Sequence, residues 1–175
     1  MQAKVFLREK QLFRTIEITN SKKPEISRQL LSNWQNIIKI TSEITGAASV
    51  LINKINKNTL EVILKNKDKN NPYRVGVRQL LGDGHYCETV IAKNERFHIK
   101  NALKNEAWKD NPAAAWNMIS YYGLPLNWPD GESFGTICIL DNNTISLNQT
   151  VKNLLNLFKK IIENDLKLLS KLQEL

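Results

Sequence analysis

YYGLPLNWPDGESFGTICIL, residues Tyr121 to Leu140, is two apolar runs folded about one turn. Pro129 presets φ, and Gly131 accepts the positive φ that other residues avoid. The runs Tyr121 to Trp128 and Ser133 to Leu140 flank Pro129-Asp130-Gly131-Glu132, so the stretch predicts an antiparallel hairpin. Turn chemistry accounts for Asp130 and solvent for Glu132, so they are not assigned as an acid–base pair.

Working outward, a second hairpin lies upstream. Ala48 to Ile55 is rich in β-branched residues, Asn56-Lys57-Asn58 supplies a turn, and Thr59 to Lys65 alternates with Leu60, Val62 and Leu64 on one face. The polar run Asn66 to Asn71 is a loop, and Tyr73 to Leu81 is ambiguous. Gly82-Asp83-Gly84 is a turn. Tyr86 to Ala92 predicts a short helix, Arg96 to Ile99 a short strand, and Asn111-Pro112 the cap and first turn of another short helix through Met118.

Helical spacing appears at both ends. Ile26, Leu30, Trp34, Ile37, Thr41 and Ile44 recur at three and four, predicting a helix from Pro24 to Ile44 that Gly46 ends. A shorter stripe, Phe6, Leu12, Phe13 and Ile16, is read as a preceding helix. The last helix begins near Ser146. Val151, Leu154, Phe158, Ile161, Leu168, Leu172 and Leu175 follow a heptad rhythm that Asp165 interrupts. The stripe is still running at Leu175, so the helix is expected to continue in a longer protein. Helices before and after antiparallel hairpins make an α+β layer fold, not a Rossmann repeat. The division expected is a helical extension over 1–23, one domain over 24–165, and a C-terminal helix extension over 166–175.

The chain has 175 residues, 42% hydrophobic and 24% charged, which suits one globular domain. No run approaches the ~20 apolar residues of a membrane span, and the first residues lack a signal-peptide core. A cytoplasmic protein without membrane association is therefore expected. The net charge of +8 comes from a Lys- and Asn-rich composition with scattered arginines and no RNP-type aromatic motif. A compositional bias explains it, and no nucleic-acid partner is expected.

Chemistry-bearing residues are few. The chain's two cysteines, Cys87 and Cys138, form no CxxC pair, and His85-x-Cys87 has no second pair to complete a zinc site. No metal is expected, and Cys138 reads as a buried strand residue. Cys87, beside Glu88 and close to His85, gains nucleophilicity if a helix start lowers its pKa. The plainer reading is a small packed side chain at a pocket rim. No GxSxG, P-loop or GxGxxG appears. Trp108, Trp116, Met118, Tyr121, Tyr122, Trp128 and Phe134 cluster in one segment, as in the lining of a small-molecule pocket or in a plain core.

Gly84-His-Tyr-Cys-Glu-Thr-Val-Ile91, Asn111-Pro112, Met118-Ile-Ser-Tyr121, Gly123-Leu-Pro125, Trp128-Pro-Asp-Gly131 and Phe134-Gly-Thr-Ile-Cys-Ile-Leu-Asp141 follow one another in order. In this order and spacing they resemble the bacterial GAF domain of the kind fused to histidine kinases and diguanylate cyclases, over about residues 25–165. The resemblance implies a central antiparallel sheet of about six strands. The terminal helices would pack on one face, and short helices and loops on the other would enclose a ligand pocket. It implies a sensory module of two-component or cyclase signalling, not an enzyme. Such a module would bind a small molecule, pair as a parallel homodimer through its terminal helices, and act on an output domain in the same or another chain.

The pocket residues expected are Tyr86, Cys87, Phe97, Trp108, Trp116, Met118, Tyr121 and Phe134. The cofactor stays unassigned. His85 stands where the family often has Leu, and Ile99-Lys100-Asn101-Ala102 lacks the family's aspartate. The NKFDE pattern of cyclic-nucleotide binders is absent, and Glu88 follows Cys87 where phytochromes have His. Two alternatives remain. One is a small thiol-dependent enzyme using Cys87, similar to free methionine sulfoxide reductase, although no cysteine stands near Ser120-Tyr121 where that family needs one. The other is a ligandless dimerisation or partner-binding module.

Overall fold

The computed structural model describes residues 2–8, 12–18 and 22–175. Six strands form one antiparallel sheet: β3 (Ser49–Asn56), β4 (Thr59–Lys65), β5 (Arg78–Leu80), β6 (Phe97–Ile99), β7 (Ser120–Asn127) and β8 (Ser133–Asp141). Their order across the sheet is β5-β4-β3-β8-β7-β6. The Pro-Asp-Gly turn makes the β7–β8 hairpin, and β8 then pairs with β3, joining the two local hairpins into one sheet.

Helices α1 (Arg28–Thr45) and α3 (Gln149–Gln173) pack on one face. The Ser27 side chain caps α1 by accepting from the Leu30 N–H, and Gly46 closes it at φ 65°. Pro24 lies outside the helix, which corrects the expected start. A serine that can accept a first-turn N–H sets the boundary more strongly than a proline three residues earlier. Trp34 is fully buried, and its Nε1–H donates to Asp165 at 2.8 Å. Asp165, read as a flaw in the apolar stripe, is therefore the polar partner of a core tryptophan. The buried stripe of α3 is Leu155, Phe158, Ile162 and Leu166, while Leu157, Ile161, Leu168, Leu172 and Leu175 are exposed.

Helix α2 (Tyr86–Lys93) and two 3-10 turns, Ala102–Lys104 and Pro112–Trp116, cover the other face. No described helix is long and apolar enough to cross a membrane.

Three further readings are corrected. The segment before α1 contains no α-helix among its described residues. Strands β1 (Gln2–Leu7) and β2 (Leu12–Glu17) form a separate hairpin. Ala3, Val5 and Leu7 point inward at a period of two, a strand signal that the Phe6/Phe13 spacing obscured. The hairpin lies along α2, with Arg8 Nε donating to Gly84 O and Arg14 Nη1 to Ala92 O.

Second, Leu64 does not share a face with Leu60 and Val62. A register shift opposite Ile52/Asn53 leaves Ile63 as an extra residue and turns Leu64 to the helix side. Third, a matching shift places Phe134 outside the pocket. Leu126 pairs with Gly135 and Asn127 with Ser133, so Phe134 is the bulged residue. It faces α1, edge-on to Trp34 at 5.8 Å and to Trp128 at 5.5 Å. Gly135 fits here because a Cβ would lie 1.9 Å from the Asn53 carbonyl oxygen.

Candidate functional site

The site is built where α2 crosses strands β3, β8 and β7. Alternation along β8 sends Cys138 and Leu140 to this face, and β3 contributes Leu51 and Asn53. Tyr121 of β7 stacks on Tyr86 of α2 with ring centroids 5.0 Å apart. Trp108 packs on Tyr86 at 5.3 Å and on Phe97 at 5.0 Å. The Tyr86 hydroxyl donates to the Met118 carbonyl, and Ser49 Oγ lies 3.6 Å from Met118 Sδ. Gly123 leaves room for the Tyr121 ring, because a Cβ there would lie 2.0 Å from its hydroxyl oxygen.

Of the expected pocket residues, Tyr86, Cys87, Phe97, Trp108, Met118 and Tyr121 come together in one buried cluster. Phe134 belongs to the opposite face. Trp116 is 47% exposed and lies edge-on to Tyr73 at 5.4 Å.

The aromatic rings largely fill the space they enclose. The chamber that remains has a volume of about 20 Å³, bounded by Asn53, Tyr73, Gln79, Tyr86, Cys87 and Tyr121 among others. That holds about one water. Gln79 lines it, and its buried Nε2 has no hydrogen-bond partner among the described residues. The larger concavities are open surface grooves elsewhere. One, of about 250 Å³, runs between Ile16 and Trp128. Another, of about 450 Å³, lies over the polar side of α1.

The electrostatics of this face are unusual for a core. Cys87 Sγ lies 3.9 Å from Cys138 Sγ. The Tyr121 hydroxyl donates to Cys87 Sγ at 3.4 Å, and Asn53 Nδ2 lies 3.5 Å from each sulfur and 3.3 Å from Thr136 Oγ1. The hydrogen bond from Cys138, helped by Thr136 and Tyr121, brings the Cys87 thiol below its ordinary pKa despite burial. Burial drives Cys138 well above its own, so the pair divides into a readier acid and a poorer one. Burial also raises Tyr121, Tyr86 and Tyr73.

Beside this pair, Glu88 is 1% exposed, and its carboxylate accepts from the N–H groups of Phe6, Gly82, Gly84 and His85. Burial outweighs those donors and pushes its pKa up to about 7. The neighbouring His85 is lowered by burial. Asn111 Nδ2 donates to Gly84 O at 2.7 Å, and its Oδ1 caps the following 3-10 turn. No three His, Cys, Asp or Glu among the described residues converge on a point that could hold a metal ion.

Sequence reasoning missed Asn53, Thr136, Gln79, Tyr73 and the partnership of Cys87 with Cys138. A signal for Asn53 was present, since it is an amide that directly follows the apolar run Val50-Leu-Ile52 of a strand.

A sheet with paired terminal helices on one face and a sheltered chamber on the other has the GAF-type α+β fold. No protein-family model matches the chain, and no curated protein matches it. Solved structures do. The type II free methionine-R-sulfoxide reductase of Thermoplasma acidophilum is similar with a TM-score of 0.60 and 17% identity, over 76% of this chain and 89% of that one. The GAF domain of an Acinetobacter phosphoenolpyruvate-protein phosphotransferase is similar with a TM-score of 0.62 and 12% identity, over 84% and 94%. An A. Aeolicus GAF domain in an inactive state gives 0.57 and 18%, over 85% and 88%. Identities this low establish the fold and leave the function to the site.

Proposed function

We propose that the chain is a non-catalytic sensory module of GAF type, which takes up a small molecule on the α2 face of its sheet and relays the event through α1 and α3. The observation that carries the reading is the division of labour along β7. Tyr121 faces the chamber, while its neighbour Tyr122, with Leu124 and Leu126, packs in the core shared with α1 and α3. Any displacement of Tyr121 therefore moves a strand on which α3 rests.

A ligand larger than a water must displace the covering segment 100–117. That segment consists of short 3-10 turns and loops and donates few hydrogen bonds to the sheet, so it is the element that can yield. Native mass spectrometry of freshly purified protein, followed by thermal-shift screening of small flat and apolar compounds, tests this reading. A retained or stabilising compound whose effect is lost in Tyr121→Ala supports it. A bare chain that no compound stabilises overturns it.

The relay needs a partner. Ile161 and Leu168 lie seven residues apart on the exposed side of α3, with Leu172 beside them and Leu175 just past its end, and a parallel helix from a second copy would cover them. The output is an attached domain of the histidine kinase or diguanylate cyclase kind in a cytoplasmic signalling protein. Sedimentation at several concentrations should show a dimer that Leu168→Glu/Leu172→Glu dissociates. A dimer indifferent to both charges would remove α3 from the seam.

A second reading is a thiol-dependent reductase similar to the Thermoplasma protein, and the hydrogen-bonded Cys87 at the start of α2 favours it. Turnover of free methionine-R-sulfoxide with a thiol donor, abolished by Cys87→Ser, would replace the sensory reading with this one.

A further inference from the structure

We propose that Cys87 and Cys138 form a reversible dithiol–disulfide site, oxidised by hydrogen peroxide, which locks α2 onto β8. The proposal requires neither a bound ligand nor methionine sulfoxide chemistry. Both thiols are free, and the chain has no other cysteine to compete for either. Their sulfurs are 3.9 Å apart, one on a helix and one on the strand beneath it. A disulfide needs ~2.05 Å, so closure asks the two sulfurs to approach by ~1.9 Å, a movement that side-chain rotation and a small shift of α2 can share.

The surroundings favour reaction over inert packing. A cysteine used only as a small hydrophobe needs apolar neighbours. Here Asn53, itself 3% exposed, directs its amide at both sulfurs, and the Tyr121 hydroxyl directs a third donor at Cys87. Thr136 Oγ1 accepts from the Asn53 amide at 3.3 Å, but a neutral thiol is a poor acceptor for the remaining amide hydrogen and for the Tyr121 hydroxyl, whereas a thiolate satisfies them. The arrangement is thus matched to a thiolate at Cys87. Cys87 also borders the water-sized chamber, which gives a peroxide oxygen a place to dock, while Cys138 does not line it. Gln79 borders the same chamber, and its unpartnered Nε2 is a donor for the distal peroxide oxygen.

The Cys87 thiolate attacks one peroxide oxygen, the O–O bond breaks, and the departing hydroxide takes a proton to become water. Cys87 is then a sulfenic acid. The Cys138 sulfur, having lost its proton, attacks the Cys87 sulfur and expels the hydroxyl group as a second water. Two thiols and one hydrogen peroxide become one disulfide and two waters. A dithiol reductant reverses the change by exchange.

The test uses the full chain, reduced, desalted and treated with hydrogen peroxide, then alkylated under denaturing conditions. The expected result is an intact mass lower by two hydrogens, loss of both alkylatable thiols, and one proteolytic cross-link joining the Cys87 and Cys138 peptides, all reversed by dithiothreitol. In Cys138→Ala the oxidation should stop at a sulfenic acid on Cys87 that dimedone traps. In Cys87→Ala the remaining thiol should react at least tenfold more slowly. The wild-type cross-link decides the matter even if a variant folds poorly. Two alkylatable thiols remaining after peroxide treatment, a Cys87 sulfinic acid without a cross-link, or disulfides only between chains would each overturn the proposal. Neither a ligand nor a sulfoxide enters this assay, so its outcome is separate from both readings of function above.

Discussion

The two faces of the sheet are equally buried and chemically opposite. On the α1/α3 side, Trp34, Ile38, Phe134, Ile137, Ile162 and Leu166 close an apolar core whose tryptophan finds one carboxylate partner in Asp165. On the α2 side, the rings of Tyr86, Trp108 and Tyr121 are interleaved with two thiols, an amide and a carboxyl group that burial holds partly protonated. Hydrophobic burial alone accounts for the first face. The second keeps polar groups where apolar ones would cost less, which is the pattern of a face retained for something besides stability.

The largest expected effect breaks the comparison from the apolar side. Phe134→Ala removes a buried ring between two tryptophans and should destabilise the fold by ~3–5 kcal/mol, read from urea unfolding. Because Phe134 lies across the sheet from the thiols, the rate at which Cys87 is alkylated in the folded state should not change. A faster alkylation accompanied by little loss of stability would mean that the ring belongs to the chamber.

That residue also shows where sequence reading stops. The Pro-Asp-Gly turn, Gly46 and the Asn111 cap are written in local chemistry and were legible, as were both central hairpins and their layer arrangement. The bulge that turns Phe134 away from the chamber depends on how β8 registers against β7 and is not a property of either segment alone. The meeting of Cys87 with Cys138 is likewise non-local, since they lie 51 residues apart. The first hairpin was misread for another reason. Ala3 and Val5 are small, and the larger rings of Phe6 and Phe13 dominated the pattern while facing each other across the strands at 5.1 Å.

The next effect comes from the ionisable side. Glu88 rises from an ordinary 4.5 to about 7 because burial disfavours its charge. The folded state therefore holds the proton to higher pH than the unfolded state. The carboxyl's favourable contribution is complete below about 4.5 and is lost as pH climbs to about 7, by ~3 kcal/mol in all. His85 and His98, lowered by burial, act in the opposite sense as pH falls below their ordinary 6.5. Both remain in Glu88→Gln, so the difference between wild type and variant isolates the carboxyl. Urea unfolding from about pH 5 to pH 8 should show wild type losing stability relative to Glu88→Gln as pH rises. A constant difference over that range would mean that the four N–H donors hold Glu88 ionised and that burial does not prevail.

The smallest effect concerns the outer wall of the chamber. Trp116 is nearly half exposed and makes an edge-on pair with Tyr73, a residue that is 6% exposed and lines the chamber. An aromatic pair of this kind is worth ~0.5–1.5 kcal/mol, so Trp116→Ala should lower stability by about 1 kcal/mol. Its consequence for access should be larger. Without Trp116 the Tyr73 ring loses its outer support, and the path to Cys87 opens more often. Alkylation of Cys87 by a small reagent in the folded state should therefore quicken several-fold, while Phe134→Ala leaves it unchanged. If Trp116→Ala costs much more than 1 kcal/mol and access stays the same, the tryptophan is a packing residue of a rigid wall. Ligand entry would then have to pass through another part of the 100–117 segment.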